Sequence, residues 1–259
     1  MDGVYFQVDK MQCLRIGEGE RNLFAFHGFG QNPEVFNCLR TLLPNYTIYS
    51  FDLLSFGKTP QKDDINELIQ TFCKNYQIKK FSVVAFSIGA KMALSIVEKL
   101  ASQIEKICLV APDGFKKTFW YEFAVSWIGK PLFWRFIQKP HQIFKIAYYL
   151  QSVKLIKNEQ IRMAQKYTES APKRFLLWRT WLANQYLYPS HKNLQKIFAT
   201  QELPTQIFLA EQDELIASKP ILHFAQKHNC IQTTHKNCSH FRVLAEVLKS
   251  QEFLDFFKS

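Results

Sequence analysis

Ser87 lies where a predicted strand turns into a predicted helix, a place where a serine can act as a nucleophile. The apolar run that begins at Phe81 predicts a buried strand, and residues 91–100 have the apolar spacing of a helix. Ala85 and Gly89 flank the serine two positions away on either side. A turn this sharp leaves room only for small side chains at those two positions, and the helix start directs N–H groups toward the serine. The same string also fits a serine that only caps a helix, so other parts of the chain must distinguish the two interpretations.

A serine hydroxyl becomes an effective nucleophile when a neighbouring base removes its proton. His235 and His240, both near the last predicted strand, are candidates for this base. A carboxylate that orients the base could come from Glu211, Asp213 or Glu214, which follow the preceding predicted strand. The histidines predicted to lie on the surface are His141, His191, His223 and His228.

Apolar runs alternate with amphipathic segments through most of the chain. Strands are predicted at 4–8, 12–16, 23–26, 47–51, 81–87, 106–110, 205–210 and 230–234, and helices at 33–43, 63–76, 91–101, 220–228 and 241–257. Asn32 is the predicted N-cap of the first of these helices, and Ser218 that of the fourth. This order predicts an α/β fold with a mostly parallel eight-stranded sheet, covered by helices on both faces, whose first two strands form an antiparallel edge.

Residues 114–200 interrupt this alternation. They contain 15 Lys and Arg against 3 Asp and Glu, and all five tryptophans of the chain. Prolines at 131, 140, 172 and 189 divide them into several aromatic helices. The sequence therefore predicts a core formed by residues 1–113 and 201–259, with a helical insertion at 114–200 after the sixth strand.

Four signals occur in an order that resembles the α/β-hydrolase superfamily over essentially the whole chain. His27-Gly-Phe-Gly30 is similar to the family's His-Gly loop, and Asp52–Thr59 to its Asp-x-x-Gly-x-Gly-x-Ser loop, with Ser55 where glycine is usual. Ser87 resembles the nucleophile of the family's Gly-x-Ser-x-Gly elbow, with alanine in place of the first glycine. Asp213 and His240 complete the chain order Ser, Asp, His that the family uses.

The resemblance implies a serine hydrolase in which Ser87 attacks, His240 moves the proton and Asp213 orients the histidine. It favours Asp213 and His240 over the neighbouring acids and histidine. It also implies an oxyanion hole formed by the backbone N–H groups of Phe29 and Ile88. The expected reaction is cleavage of a carboxylic ester or thioester through an acyl-enzyme, and no cofactor or metal ion is expected.

The insertion resembles the helical cap of this superfamily, which implies that it forms most of the substrate wall. Its aromatic residues suggest a small apolar acyl or aryl substrate, although they also suit the cap's own core. Candidate substrate-binding residues are His27, Gly28, Lys91 and Trp120. Lys91 matches the place of a carboxylate-binding arginine in the menaquinone-pathway lyases of the same fold, although a solvent-facing lysine is the simpler interpretation. The alternatives are therefore a lyase of that type and a non-catalytic small-molecule receptor.

The net charge of +11 resides almost entirely in the predicted cap. Scattered surface charge, attraction of an anionic substrate and weak docking on an anionic membrane all fit this pattern, whereas no nucleic-acid-binding motif is recognisable and a nucleic-acid partner is not expected. The six cysteines lack the spacing of a disulfide framework, and the first residues lack the features of a secretory signal. These features predict a cytoplasmic protein.

Overall fold

The computed structural model describes residues 3–52, 62–155 and 158–258. Those residues contain an eight-stranded sheet, and its bounds are β1 Val4–Val8, β2 Met11–Ile16, β3 Arg21–Phe26, β4 Tyr46–Asp52, β5 Phe81–Phe86, β6 Ile104–Val110, β7 Thr205–Gln212 and β8 Ile231–Ser239. The strands lie in the order β1-β2-β4-β3-β5-β6-β7-β8. The six strands β4, β3, β5, β6, β7 and β8, in this spatial order, pair in parallel. Strand β2 pairs antiparallel with both β1 and β4. The predicted α/β fold, with its mostly parallel sheet and antiparallel edge, is confirmed.

Helices cover both faces of this sheet. The helices of the described residues are α1 Leu39–Leu42, α2 Lys62–Asn75, α3 Gly89–Leu100, α4 Phe119–Val125, α5 Gly129–Gln138, α6 Pro140–Ser152, α7 Asn158–Thr168, α8 Ala171–Ala183, α9 His191–Gln201, α10 Ser218–Ala225, α11 His240–Leu248 and α12 Gln251–Lys258. Those that pack on the sheet are α1, α2, α3, α9, α10, α11 and α12. One core cluster includes residues of α2, α3 and α9, and stacked rings of Phe24 and Phe81 lie within it, 4.1 Å apart. A second cluster joins strand residues to α1, α11 and α12. Aromatic burial on both faces therefore fixes the strands that carry the candidate site.

Two predicted helices are broken. The segment predicted as a helix at 33–43 is a 3₁₀ turn, Pro33–Phe36, followed by the single turn of α1, although Asn32 does cap it by accepting a hydrogen bond from the Glu34 N–H. The last helix is divided between α11 and α12 because the Ser250 hydroxyl accepts from the Phe253 N–H, which starts a new helix. Ser218 is the first residue of α10, and its side chain makes no cap there.

The described residues divide into two compact units, Met1–Lys116 with Tyr186–Ser259, and Lys117–Gln185. The second unit contains fewer residues than the predicted insertion at 114–200. Helix α9 belongs to the first unit, because Leu194 and Phe198 are buried in a core cluster of that unit. Whether the second unit acts as a cap stays a prediction. No helix among the described residues is long and apolar enough to cross a membrane.

The second unit contains helices α4 to α8 around a small aromatic core. Phe133 contacts the rings of Trp178 and Trp181 at 5.1 and 5.2 Å. The Tyr121 hydroxyl donates to the Trp181 carbonyl at 3.2 Å. Packing therefore accounts for part of the aromatic content, whereas Trp127, in the turn between α4 and α5, is 84% exposed.

His228 is buried, contrary to its predicted surface position. Its ring lies 4.9 Å from that of Phe224 and 5.9 Å from that of Phe198, and its Nε2 atom has no hydrogen-bond partner. Burial, with a smaller contribution from the charge of Lys227, lowers the pKa of His228. The folded protein therefore favours the neutral imidazole.

We expect this burial to make the fold sensitive to acid. In the unfolded chain the pKa of His228 is about 6.5, which is above its pKa in the folded state. The contribution of the buried neutral ring to stability is therefore full above about pH 6.5. It is lost as pH falls below that value, because the unfolded chain binds the proton first. His228→Gln should reduce the fall in unfolding free energy between neutral and mildly acidic pH, as measured by urea denaturation. His223→Gln, at an exposed position on α10, is the matched control and should leave the wild-type slope unchanged. Equal slopes for all three proteins would contradict the prediction.

Candidate active site

Ser87 occupies the turn between β5 and α3 in a backbone conformation that is rare for residues with a side chain. Its φ is +51°, in the left-handed region, which costs on the order of 1–3 kcal/mol and persists only where neighbours enforce it. The Ser87 N–H donates to the Val110 carbonyl at 2.9 Å, and the Ser87 carbonyl accepts from the Asp113 N–H at 3.0 Å. The end of β6 and the residues after it therefore hold the elbow in place.

Gly89 lets the elbow approach the neighbouring strand. A Cβ atom at this position would lie 2.5 Å from the Phe26 carbonyl oxygen and 2.6 Å from that of His27. Real Cβ atoms essentially never come so close to backbone oxygen atoms. The requirement for a small residue was predicted correctly at Gly89, but the atoms that impose it belong to β3 and the residue after it.

His240 begins α11, and its ring is buried, 3% exposed. Its Nε2 atom lies 2.8 Å from the Ser87 hydroxyl, and its Nδ1 atom lies 2.7 Å from Oδ2 of Asp213. Phe86 packs beside the ring at a centroid distance of 5.2 Å. The structure thus brings the three residues predicted as nucleophile, base and acid into one hydrogen-bonded line.

Asp213 follows β7, and backbone N–H groups fix its carboxylate. Its Oδ1 atom accepts from the N–H groups of Leu215 and Ile216, both at 2.8 Å, which leaves Oδ2 for His240. An ionised carboxylate can only accept hydrogen bonds, so the proton of neutral His240 lies on Nδ1. Its Nε2 is then an acceptor, and the Ser87 hydroxyl donates to it. This is the arrangement that a general base requires.

The alternative acids and base lie on the surface. Glu211, Glu214 and His235 are all exposed, whereas the side chains of Asp213 and His240 are 6% and 4% exposed. Burial and hydrogen bonding therefore distinguish residues that sequence spacing left as alternatives.

The His-Gly loop after β3 lies next to the elbow. His27 is buried, with Nδ1 3.0 Å from the Gly28 carbonyl and Nε2 3.5 Å from Oδ1 of Asp52. The Gly28 N–H donates to Oε1 of Gln31 at 2.9 Å, an interaction that the sequence did not reveal. These contacts order the loop that contains Phe29, but the proposed oxyanion role of Phe29 and Ile88 stays a prediction.

Lys91 is 1% exposed, so the solvent-facing interpretation is wrong. Its ammonium group lies 2.9 Å from Oδ2 of Asp113 and 4.2 Å from the ring centroid of Tyr188. Sequence reasoning missed both partners. The signal available for Asp113 was its place directly after the sixth strand, in Ala-Pro-Asp-Gly114.

The Lys91–Asp113 pair is linked to the candidate nucleophile through the backbone. Asp113 donates its own N–H to the Ser87 carbonyl, and its Oδ1 accepts from the Gly114 N–H at 2.6 Å. Lys91 thus neutralises the side chain of Asp113, the residue whose backbone N–H supports the elbow. Whether Lys91 also contacts a substrate stays a prediction.

Two sequence predictions fall outside the described residues. They concern residues 53–59 of the predicted Asp-x-x-Gly-x-Gly-x-Ser-like loop and the side chain of Trp120. Within the described ranges, no three His, Cys, Asp or Glu side chains converge as metal ligands.

The chain belongs to the α/β hydrolase fold family, whose model matches residues 22–244. The order of the strands and the placement of Ser87, Asp213 and His240 agree with this membership. The chain is therefore a member of a hydrolase family.

Individual relatives match shorter parts of the chain. One match spans 113 residues, which are 39% of this chain and 27% of the relative. Over these residues the chain is 29% identical to a probable lysophospholipase, BODYGUARD 4, of Arabidopsis thaliana. It is 43% identical over 44 residues to a pimeloyl-[acyl-carrier protein] methyl ester esterase of Serratia marcescens, 17% of each protein. The chain thus spans about a quarter or less of these relatives. A thermophilic esterase from Thermogutta terrifontis shares the fold, with a TM-score of 0.67 at 13% identity over 100% of both chains.

We expect Lys91→Met to lower the free energy of unfolding by about 1–3 kcal/mol, because it leaves Asp113 without its cation. Asp113 is 21% exposed, and hydration therefore places the effect below that of a fully buried pair. Lys91→Met with Asp113→Asn should recover part of the loss. Urea denaturation of the four proteins in this cycle gives the coupling energy.

The matched control is Lys173→Met, which breaks the exposed ion pair with Glu169. Its effect should stay below about 1 kcal/mol. A Lys91→Met protein as stable as this control would show that the buried pair contributes little.

Proposed function

We propose that this protein is a serine hydrolase that cleaves a carboxylic ester or thioester through an acyl-enzyme. The observation that carries the proposal is the hydrogen-bonded line from the Ser87 hydroxyl through His240 to Asp213, with distances of 2.8 and 2.7 Å. This arrangement supplies a nucleophile, a base and an orienting carboxylate from side chains alone.

In the first step, the Ser87 oxygen attacks the substrate carbonyl carbon while its proton moves to Nε2 of His240. The carbonyl bond pair moves to the oxygen and forms a tetrahedral oxyanion. His240 is now an imidazolium, which the Asp213 carboxylate stabilises. Collapse of the intermediate breaks the bond to the alcohol or thiol, which receives the proton from Nε2, and leaves the acyl group on Ser87.

Water then repeats the sequence. His240 takes a proton from water, the resulting nucleophile attacks the acyl carbon, and collapse returns the proton to the Ser87 oxygen and releases the acid. We assign stabilisation of both oxyanions to the backbone N–H groups of Phe29 and Ile88. The supporting observations are the ordered loop before Phe29 and the place of Ile88 at the start of α3. One such donor contributes about 10²–10³-fold to the rate.

The proposed substrate class is a small molecule with an apolar acyl or aryl group. The two sequence relatives are described as a probable lysophospholipase and a methyl ester esterase, which supports an ester over other hydrolysable bonds. The carboxylate-binding lyase gains no support from Lys91, whose ammonium group pairs with Asp113.

All six cysteines are free thiols. Burial raises the pKa of Cys73 to about 12 and that of Cys13 further, so neither is a reactive thiolate at neutral pH. A cytoplasmic location agrees with such thiols and remains part of the proposal.

Ser87→Ala should abolish covalent labelling by a fluorophosphonate probe and lower ester turnover by about 10³-fold or more, because the attacking oxygen is lost. Intact-mass spectrometry measures the labelling, and a panel of short- and long-chain p-nitrophenyl esters and acyl thioesters measures turnover. Labelled Ser87 without turnover of any ester or thioester would contradict the hydrolase and favour a lyase or receptor. A folded wild-type protein that resists the probe would contradict the nucleophile itself.

Asp213→Asn should lower kcat by about 10³- to 10⁴-fold, because an amide can donate to Nδ1 and so favour the wrong tautomer of His240. Glu214→Gln, one residue along the chain and exposed, is the matched control and should keep wild-type kcat. His235→Ala serves the same purpose for His240→Ala. If a control variant loses as much kcat as the variant it is paired with, the acid or the base is assigned wrongly.

A further inference from the structure

The surface of the second unit is unusually apolar. Among the described residues, seventeen large apolar side chains are exposed, and twelve of them belong to this unit. They are Phe119, Phe123, Trp127, Ile128, Leu132, Trp134, Ile146, Tyr148, Tyr149, Val153, Leu155 and Phe175. Exposed apolar residues concentrated in this way indicate an interaction site.

The same unit carries a large excess of positive charge. Residues 117–185 contain 12 Lys and Arg but only 3 Asp and Glu, and residues 123–158 contain six Lys and Arg with no Asp or Glu at all. A partner for this surface must therefore tolerate or attract cations along a stretch of 36 residues. An ordinary apolar protein interface would not require such a charge.

Helix α6 shows how the two properties combine. None of its residues, all of which the structure describes, is buried. Lys145, Ile146, Tyr148 and Tyr149 are exposed on it. A helix contributes to a fold mainly by burying an apolar face. The apolar face of α6 is only half-buried, with the Phe144 ring 5.5 Å from that of Phe136. The exposed apolar side chains of α6, Ile146, Tyr148 and Tyr149, are thus available for an external apolar phase.

The turn between α4 and α5 has the same character. Trp127 is 84% exposed and Ile128 is 55% exposed. Phe119 and Phe123, one helical turn apart on α4, are also exposed, and their rings stack with centroids 6.3 Å apart. Trp and Tyr beside Lys and Arg are the composition that lies at the boundary between lipid headgroups and acyl chains.

We propose that the apolar-cationic surface, defined as the exposed apolar side chains from Phe119 to Leu155 and the five described Lys and Arg residues between them (Lys130, Arg135, Lys139, Lys145 and Lys154), docks on a bilayer of anionic phospholipid. The apolar side chains enter the interface, and the cations contact anionic headgroups. Charge complementarity favours a lipid surface over a second copy of the chain, whose equivalent surface is also cationic. The proposal does not rest on the catalytic one.

The test is co-sedimentation of the full chain with large unilamellar vesicles of phosphatidylcholine, with and without phosphatidylglycerol. We expect binding to the mixed vesicles, with weaker binding at high salt, and a blue shift of tryptophan fluorescence on binding. No binding, or equal binding to both kinds of vesicle at every salt concentration, would overturn the proposal. Self-association that accounts for the sedimentation without vesicles would also overturn it.

Two pairs of variants locate the surface. Lys139→Glu with Lys145→Glu should weaken partitioning by about 10²-fold or more, because each removed cation contributes about fivefold and each added anion a similar repulsion. Lys192→Glu with Lys219→Glu, at exposed positions of the first unit, makes the same change in net charge elsewhere. Equal weakening by the two pairs would show that net charge alone drives binding and would overturn the assigned surface.

The apolar contribution has its own control. Ile128→Ser should weaken partitioning severalfold, whereas Val4→Ser, at a similarly exposed aliphatic position on β1, should not change it. Far-ultraviolet circular dichroism and urea midpoints confirm that each variant is folded. Unchanged binding by a folded Ile128→Ser/Trp127→Ser protein would overturn the apolar part of the proposal.

Discussion

At Ser87 the backbone adopts a φ of +51°, and three neighbouring segments keep it there. The end of β6 accepts the Ser87 N–H, the Asp113 N–H binds the Ser87 carbonyl, and Gly89 lies against the backbone of β3. Each contact requires a particular strand neighbour, and the strand order places β5 between β3 and β6. The position of the candidate nucleophile is therefore a property of the sheet as a whole.

Parallel pairing explains why residues so distant in sequence converge. The turns after β5, β7 and β8 lie at the same edge because the carboxyl ends of parallel strands point the same way. Ser87 and His240, 153 positions apart in the chain, consequently share a hydrogen bond. The two backbone N–H groups that hold Asp213 then fix the direction of the line.

The two units use their residues differently. The first buries aromatic side chains on both faces of its sheet. The second has a small core around Phe133 and leaves twelve of its described large apolar side chains exposed, among cations. Composition placed the tryptophans and the charge in this part of the chain, but it could not separate core from surface, because Trp178 and Trp127 are the same residue type in different packing environments.

The sequence by itself determined the fold class and the strand order along the chain, because hydrophobic periodicity is a local property. It indicated the candidate residues Ser87, Asp213 and His240 through a motif order that resembles the α/β-hydrolase superfamily. It did not determine which neighbours those residues meet. The burial of Lys91 against Asp113 and Tyr188, and of His228 between Phe198 and Phe224, was decided only by tertiary packing. A lysine or histidine on a helix has the same local sequence signal whether its side chain faces water or a partner that is distant in sequence, and only the folded chain supplies that partner.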